Sequence, residues 1–84
     1  MKFEEKIGIA WNIIKNKNHH GIEETYLKVK FPDEQDCEVT ILESMQKMNW
    51  EQILEKNLGK LRVRCVKVTT DYGYPKFLLI EIIS

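Results

Sequence analysis

The chain has 84 residues, 43% of them hydrophobic and 31% charged, with 13 Lys plus Arg against 13 Asp plus Glu. That length suits one domain, and the composition is too apolar for a disordered chain yet holds no apolar run of membrane-spanning length. A net charge of zero argues against a protein devoted to gripping phosphates, although acids exceed Lys plus Arg by two up to Leu42 and fall short by two from Glu43 onward.

The opening Met1-Lys2-Phe3-Glu4-Glu5-Lys6 puts acids where a signal peptide carries apolar residues, which predicts an intracellular, cytoplasmic protein. From Phe3, the apolar residues Phe3, Ile7, Ala10, Trp11 and Ile14 recur at intervals of three and four, the stripe of a helix running to about Lys17. Ile9 and Ile13 fall off that stripe. Asn16 to Gly21 offers residues that close a helix. Thr25 to Phe31 alternates as a half-buried strand, Pro32 to Asp36 turns, and Cys37, Val39 and Ile41 alternate again, which predicts a hairpin. Asn49 is a helix cap with Gln52 three residues on, and Trp50, Ile53, Leu54 and Leu58 form the core face of a helix ended by Gly59. Leu61 to Thr70 reads as a strand, Asp71 to Pro75 as a turn, and Lys76 to Ile83 as a last strand. In that strand Phe77, Leu79 and Ile83 look one way and Leu78, Ile80 and Ile82 the other.

The order helix, strand, strand occurs twice, so the predicted architecture is a single α+β domain over 1–84 built as αββαββ, with half-repeats of about 1–43 and 44–84. Its expected form is a two-layer, four-stranded antiparallel sheet with both helices on one face and Trp11 and Trp50 between the layers. The alternative is a small closed barrel with the helices outside.

Chemistry is sparse. His19, His20, Cys37 and Cys65 are the soft metal ligands, but they lack the paired spacing of a zinc site. The cysteines read as reduced core thiols, and Asp36 and Glu38 beside Cys37 disfavour a thiolate. Asp33, Glu34, Asp36 and Glu38 lack the spacing and glycine of a calcium loop. No phosphate loop or nucleophile elbow occurs. The expectation is therefore a non-enzyme with no cofactor, no metal and no evident small-molecule substrate.

Two surfaces carry the functional expectation. On the open sheet face, Val66, Val68, Leu78, Ile80 and Ile82 form an apolar patch extended by Tyr72 and Tyr74, which calls for a partner, either a second copy or another protein. Tyr26, Lys28, Lys30, Arg62 and Arg64 form a basic, aromatic set suited to single-stranded nucleic acid. The leading expectation is a protein-binding module, an adaptor or inhibitor of the kind phages and mobile elements encode, acting as a homodimer. A single-strand nucleic-acid binder and a non-catalytic subunit of a larger enzyme are the alternatives.

Overall fold

The computed structural model describes residues 1–83, which form mostly strand. In chain order these are β1 (Lys2–Lys17), β2 (Glu23–Phe31), β3 (Glu34–Thr40), a single 3-10 turn (Glu43–Met45), α1 (Trp50–Lys56), β4 (Leu61–Thr69) and β5 (Lys76–Ile82). The sheet closes on itself in the order β1-β2-β3-β5-β4. All neighbours are antiparallel except β3 and β5, which run parallel and pair only Val39 with Phe77 and Thr40 with Leu78.

This overturns the expected four-stranded antiparallel layer with two helices and with it the αββ half-repeats; of the alternative, the closed barrel stands, with one short helix in place of two. The first segment is a strand of 16 residues, not a helix. Its early part, Lys2 to Ala10, pairs with β4, and its later part, Ile9 to Lys17, pairs with β2. One strand thus bridges two neighbours, and it bends to do so. The bend is a bulge: Ala10 faces Val29 and Asn12 faces Lys28, so Trp11 has no partner. Before the bulge Lys6, Gly8 and Ala10 point inward, and after it Ile13 packs on the core. The apparent helical stripe mixes both faces of this strand, since Phe3, Ile7 and Trp11 are exposed while Ala10 is buried. Ile7, Ile9, Ile13 and Ile14, stiff at χ1, are better suited to strand than to helix.

Gly8 marks a close approach of β1 to β2. A Cβ on it would lie 2.6 Å from the Lys30 carbonyl oxygen, 2.6 Å from Val29 Cγ1 and 2.8 Å from Phe31 Cδ1. Only glycine lets β1 approach β2 this closely.

The barrel interior is filled by Leu27, Val29, Val39, Leu61, Val63, Cys65 and Leu79, with Phe31 stacked on Phe77 at a centroid distance of 5.3 Å. Alternation on β2, β3 and β4 selects these residues, as their sequence pattern requires. The helix α1 seals the barrel with Trp50 and Leu54 buried and Ile53 packed beside them. Asn49 caps it, its side chain accepting from Gln52 N, and the Trp50 indole donates to the Met45 carbonyl at 2.9 Å. Leu58, expected on the core face, lies past the helix end and is 74% exposed. Trp11, expected between layers, is on the outside and 40% exposed.

Candidate ligand face on the barrel exterior

Because the barrel is closed, every binding surface is an outer one. The basic residues expected on one open sheet face sit on β2 and β4, which are not neighbours but flank β1 on its two sides. Lys30 pairs with Ile9, and Ile9 pairs with Arg62. Directly opposed residues stand about 5 Å apart, so a cation, an isoleucine and a cation follow one another across the wall. In the next row Ile7 faces Arg64, which is tied to Glu81 by a salt bridge. Beyond the bulge Asn12 faces Lys28, and Lys28 faces Glu38 on β3. Among the described residues Lys28, Lys30 and Arg62 have no carboxylate within salt-bridge distance.

Between these cations β1 presents Ile7, Ile9 and Trp11. A helical reading of this segment hides all three as site residues; the β-branching of Ile7 and Ile9 and the aromatic ring of Trp11, all favoured in strands, are the signal that exposes them. A shallow pocket of about 390 Å³ opens here, lined by Ile7, Ile9, Phe31 and Pro32 with Lys30 and Arg62 at its edge. The Lys30 ammonium lies 5.4 Å from the Trp11 ring centroid, a cation–π contact.

Tyr26 belongs to a different row, facing Ile14 on β1 and Thr40 on β3. Its hydroxyl donates to Glu24 Oε2 at 2.5 Å, and Asn18 Nδ2 donates to Glu24 Oε1 at 3.0 Å. These bonds hold the Glu24 carboxyl below its ordinary range and the Tyr26 phenol above its own. Tyr26 also borders a groove of about 470 Å³ with Glu38, Thr40, Pro75 and Lys76. That groove follows from the two-pair contact between β3 and β5.

The apolar set is divided. Val66 faces Glu5 on one side and Leu78 on the other, and Val68 faces Phe3 and Lys76, so Val66, Val68 and Leu78 share the outer wall. Leu79 pairs with Cys65 and Glu81 with Arg64, which leaves Ile80 as an extra, unpaired residue, 41% exposed. This second bulge turns Ile82 inward, opposite Val63 and against the core. Ile82 is therefore not on the face of Leu78 and Ile80. Tyr72 and Tyr74, at 100% and 93% exposure, stand clear of the strands in the β4–β5 turn.

At another point on the wall, Lys6 is turned inward, and its ammonium meets Asp33 Oδ2 at 2.6 Å, Glu4 Oε2 at 3.0 Å and Glu34 Oε2 at 3.3 Å. Lys67 completes the cluster by donating to Glu34 Oε1. The bond to Asp33 raises the Lys6 pKa in the face of its burial, and Asp33 and Glu34 are lowered in return by Lys6 and Lys67 respectively. The acidic hairpin tip is thus partly a lid over two lysines. Burial pushes the Cys65 thiol up to about 12 and, with Glu34 nearby, raises Cys37. Both thiols are free and held protonated. His19 and His20 lie together in the β1–β2 turn, and among the described residues no three His, Cys, Asp or Glu side chains converge on a metal-sized site. No described helix is long and apolar enough to cross a membrane.

No protein-family model, curated protein or solved structure matches this chain.

Proposed function

We propose that this protein is a small binding module for single-stranded nucleic acid, held on the outer face of β1 between β2 and β4. The observation that carries the reading is the row Lys30–Ile9–Arg62, in which cations with no carboxylate partner among the described residues flank an apolar strand on both sides. Apolar side chains and an indole offer surfaces for bases, and cations alongside offer partners for phosphates, which is how single strands are held without sequence readout. Connectivity agrees with this: a five-stranded barrel in the order β1-β2-β3-β5-β4 with a helix before β4 has the layout of the OB-type barrels, a recurrent scaffold for oligonucleotides and oligosaccharides. That agreement is an analogy of architecture and carries weight only beside the site. A net charge of zero limits the electrostatic share of affinity, so binding is expected to be modest.

The test is a fluorescence-anisotropy titration of a labelled oligonucleotide at several salt concentrations. Each phosphate contact contributes about 0.7 to the slope of log affinity against log salt for a single strand. Lys28→Glu with Arg62→Glu should abolish most of that slope while leaving the fold intact. Absence of binding by the wild type at low salt ends the proposal.

A second reading, binding to another protein or to a second copy, is favoured by a separate observation. Phe3, Val66, Val68, Leu78 and Ile80 form an apolar strip on the outer wall of β1, β4 and β5, with Phe3 at 69% exposure. This reading does not rest on an uncovered sheet face, because the closed barrel covers its own inner face. The strip remains a candidate interface, and sedimentation of Ile80→Lys against wild type reads it directly.

A further inference from the structure

Trp11 is the residue that the β1 bulge leaves unpaired and turns to the outside, where it is 40% exposed. Trp50, in contrast, is 2% exposed, with its indole nitrogen bonded to Met45. Sequence economy does not explain an indole at a bulge, since any residue can fill that position. What distinguishes it is its neighbour. The ammonium of Lys30 rests 5.4 Å from the ring centroid, and Lys30 also stands at the edge of the Ile7–Ile9–Pro32 pocket, opposite Arg62.

We infer that Trp11 is a base-stacking platform that Lys30 masks in the free protein, and that the ligand is an unstacked single strand with one base on the indole and the next in the Ile7–Ile9–Pro32 pocket. This rests on the nucleic-acid reading and specifies how the site works. A phosphate between the two bases draws the Lys30 ammonium off the ring, because a full negative charge attracts it more strongly than a ring quadrupole does. The same movement uncovers the indole face, so charge capture and stacking occur together. Arg62, across Ile9, holds the phosphate from the other side.

The spacing of the two subsites sets the form of the ligand. Ile9 faces Lys30 and Asn12 faces Lys28, so the bulge fits the steps from Ile9 to Asn12 into a two-residue span of β2, about 6.6 Å; Trp11 lies within that span, and the other subsite reaches back past Ile9 to Ile7. Stacked bases repeat at about 3.4 Å. Two neighbouring bases that reach both subsites are therefore separated from each other, which a duplex does not permit and an extended single strand does.

The two tryptophans make the test direct, since Trp50 is buried and only Trp11 meets ligand. The full chain is titrated with a short oligothymidylate and, separately, with a duplex, reading tryptophan emission and the anisotropy of the labelled oligonucleotide in parallel. The single strand is expected to quench emission at the concentrations where anisotropy rises, and the duplex is not. Trp11→Leu should weaken binding about 5- to 150-fold, the range for one stacked base, with the salt slope unchanged. Trp11→Phe, which keeps a ring, should retain most of the affinity, and circular dichroism confirms that both variants fold. Lys30→Gln should lower the salt slope by about 0.7 and keep the quench. If anisotropy reports binding while emission is unchanged and Trp11→Leu binds like wild type, the platform is refuted and the nucleic-acid reading survives. Equal binding of duplex and single strand also refutes it. If anisotropy reports no binding at low salt, both fall together.

Discussion

Replacing Gly8 by alanine separates a strand from a helix by the sign of its effect. In an exposed helix the change stabilises by about 0.8–1.0 kcal/mol, because alanine is the better helix former. In the barrel the added methyl carbon lands 2.6 Å from the Lys30 carbonyl oxygen and 2.6 Å from Val29 Cγ1. Gly8 has no positive φ, so alanine meets no backbone penalty there and the whole cost is contact. Side-chain atoms can turn aside, but the carbonyl is a fixed part of β2, and β1 has to move off it. Overpacking costs about 1–3 kcal/mol, and a backbone obstacle puts this site near the upper end. For a domain of this size each kcal/mol moves the melting temperature by about 4–8 °C, so a drop of about 12–24 °C is expected. Thermal and urea unfolding followed by circular dichroism measure it. Gly21→Ala is the control: it has φ 80° and nothing within 4 Å of its added carbon, so it should cost about 1–2 kcal/mol through conformation alone. A Gly8→Ala protein as stable as wild type, or more so, would refute the close approach of β1 to β2 and with it the barrel.

Trp50→Ala should destabilise by about 3–5 kcal/mol, since Trp50 is buried and α1 seals the barrel through it; a melting temperature within a degree or two of wild type would contradict that. Ile82→Lys should unfold the domain and Ile80→Lys should leave it folded, because the β5 bulge sends one side chain inward and the other out; circular dichroism of the two decides. The Lys6 cluster fixes a pH window. Asp33 and Glu34 are lowered from ordinary values of 3.8 and 4.5, so their contribution is present above those values and lost as pH falls through the depressed ones. Lys6 is raised from 10.5, so its contribution is complete below that value and lost only as pH rises through the elevated one. Melting temperature should be flat between the two limits and fall in acid, and Lys6→Met should shrink the acid fall; an unchanged acid limb would show that the cluster does not contribute.

Much of the chain was legible because its signals were local. Leu27, Val29 and Phe31 alternate inward as their period requires, and Asn49 caps α1 as its spacing with Gln52 indicates, whereas Gly59, with a φ of 69°, lies in the turn after the Asn57 C-cap and does not close the helix. What failed was non-local. The spacing of Phe3, Ile7, Ala10 and Ile14 fits a helical period although Phe3 and Ile7 face outward and Ala10 inward on β1, and only the pairing of Ala10 and Asn12 with β2 reveals the interruption of the strand. The parity of the last strand misled in the same way, since the bulge at Ile80 depends on how β5 meets Arg64 and Cys65. Alternation alone marks Lys28, Lys30, Arg62 and Arg64 as outward residues, but the element that joins them, β1, carries a helical spacing in the sequence and so does not read as their neighbour.

The two bulges give the outer wall its functional division. At Trp11, β1 leaves β4 and continues along β2, and the residue that marks the turn is pushed out among Lys28, Lys30 and Arg62. At Ile80, β5 bends so that Leu78 and Ile80 stay outside while Ile82 returns to the core. One bulge therefore adds an aromatic surface to a cationic region, and the other confines an apolar strip to the early half of β5. The Arg64–Glu81 salt bridge lies between the two regions and neutralises the cation that stands between Arg62 and Val66 on β4. A ligand that needs charge is directed to the Trp11 side and one that needs only apolar contact to the Ile80 side, so Arg62→Glu and Ile80→Lys should act independently. Their effects on oligonucleotide affinity and on self-association should add without coupling, as expected of sites that share no partners; a Ile80→Lys protein that also loses oligonucleotide binding would show that the wall is a single site.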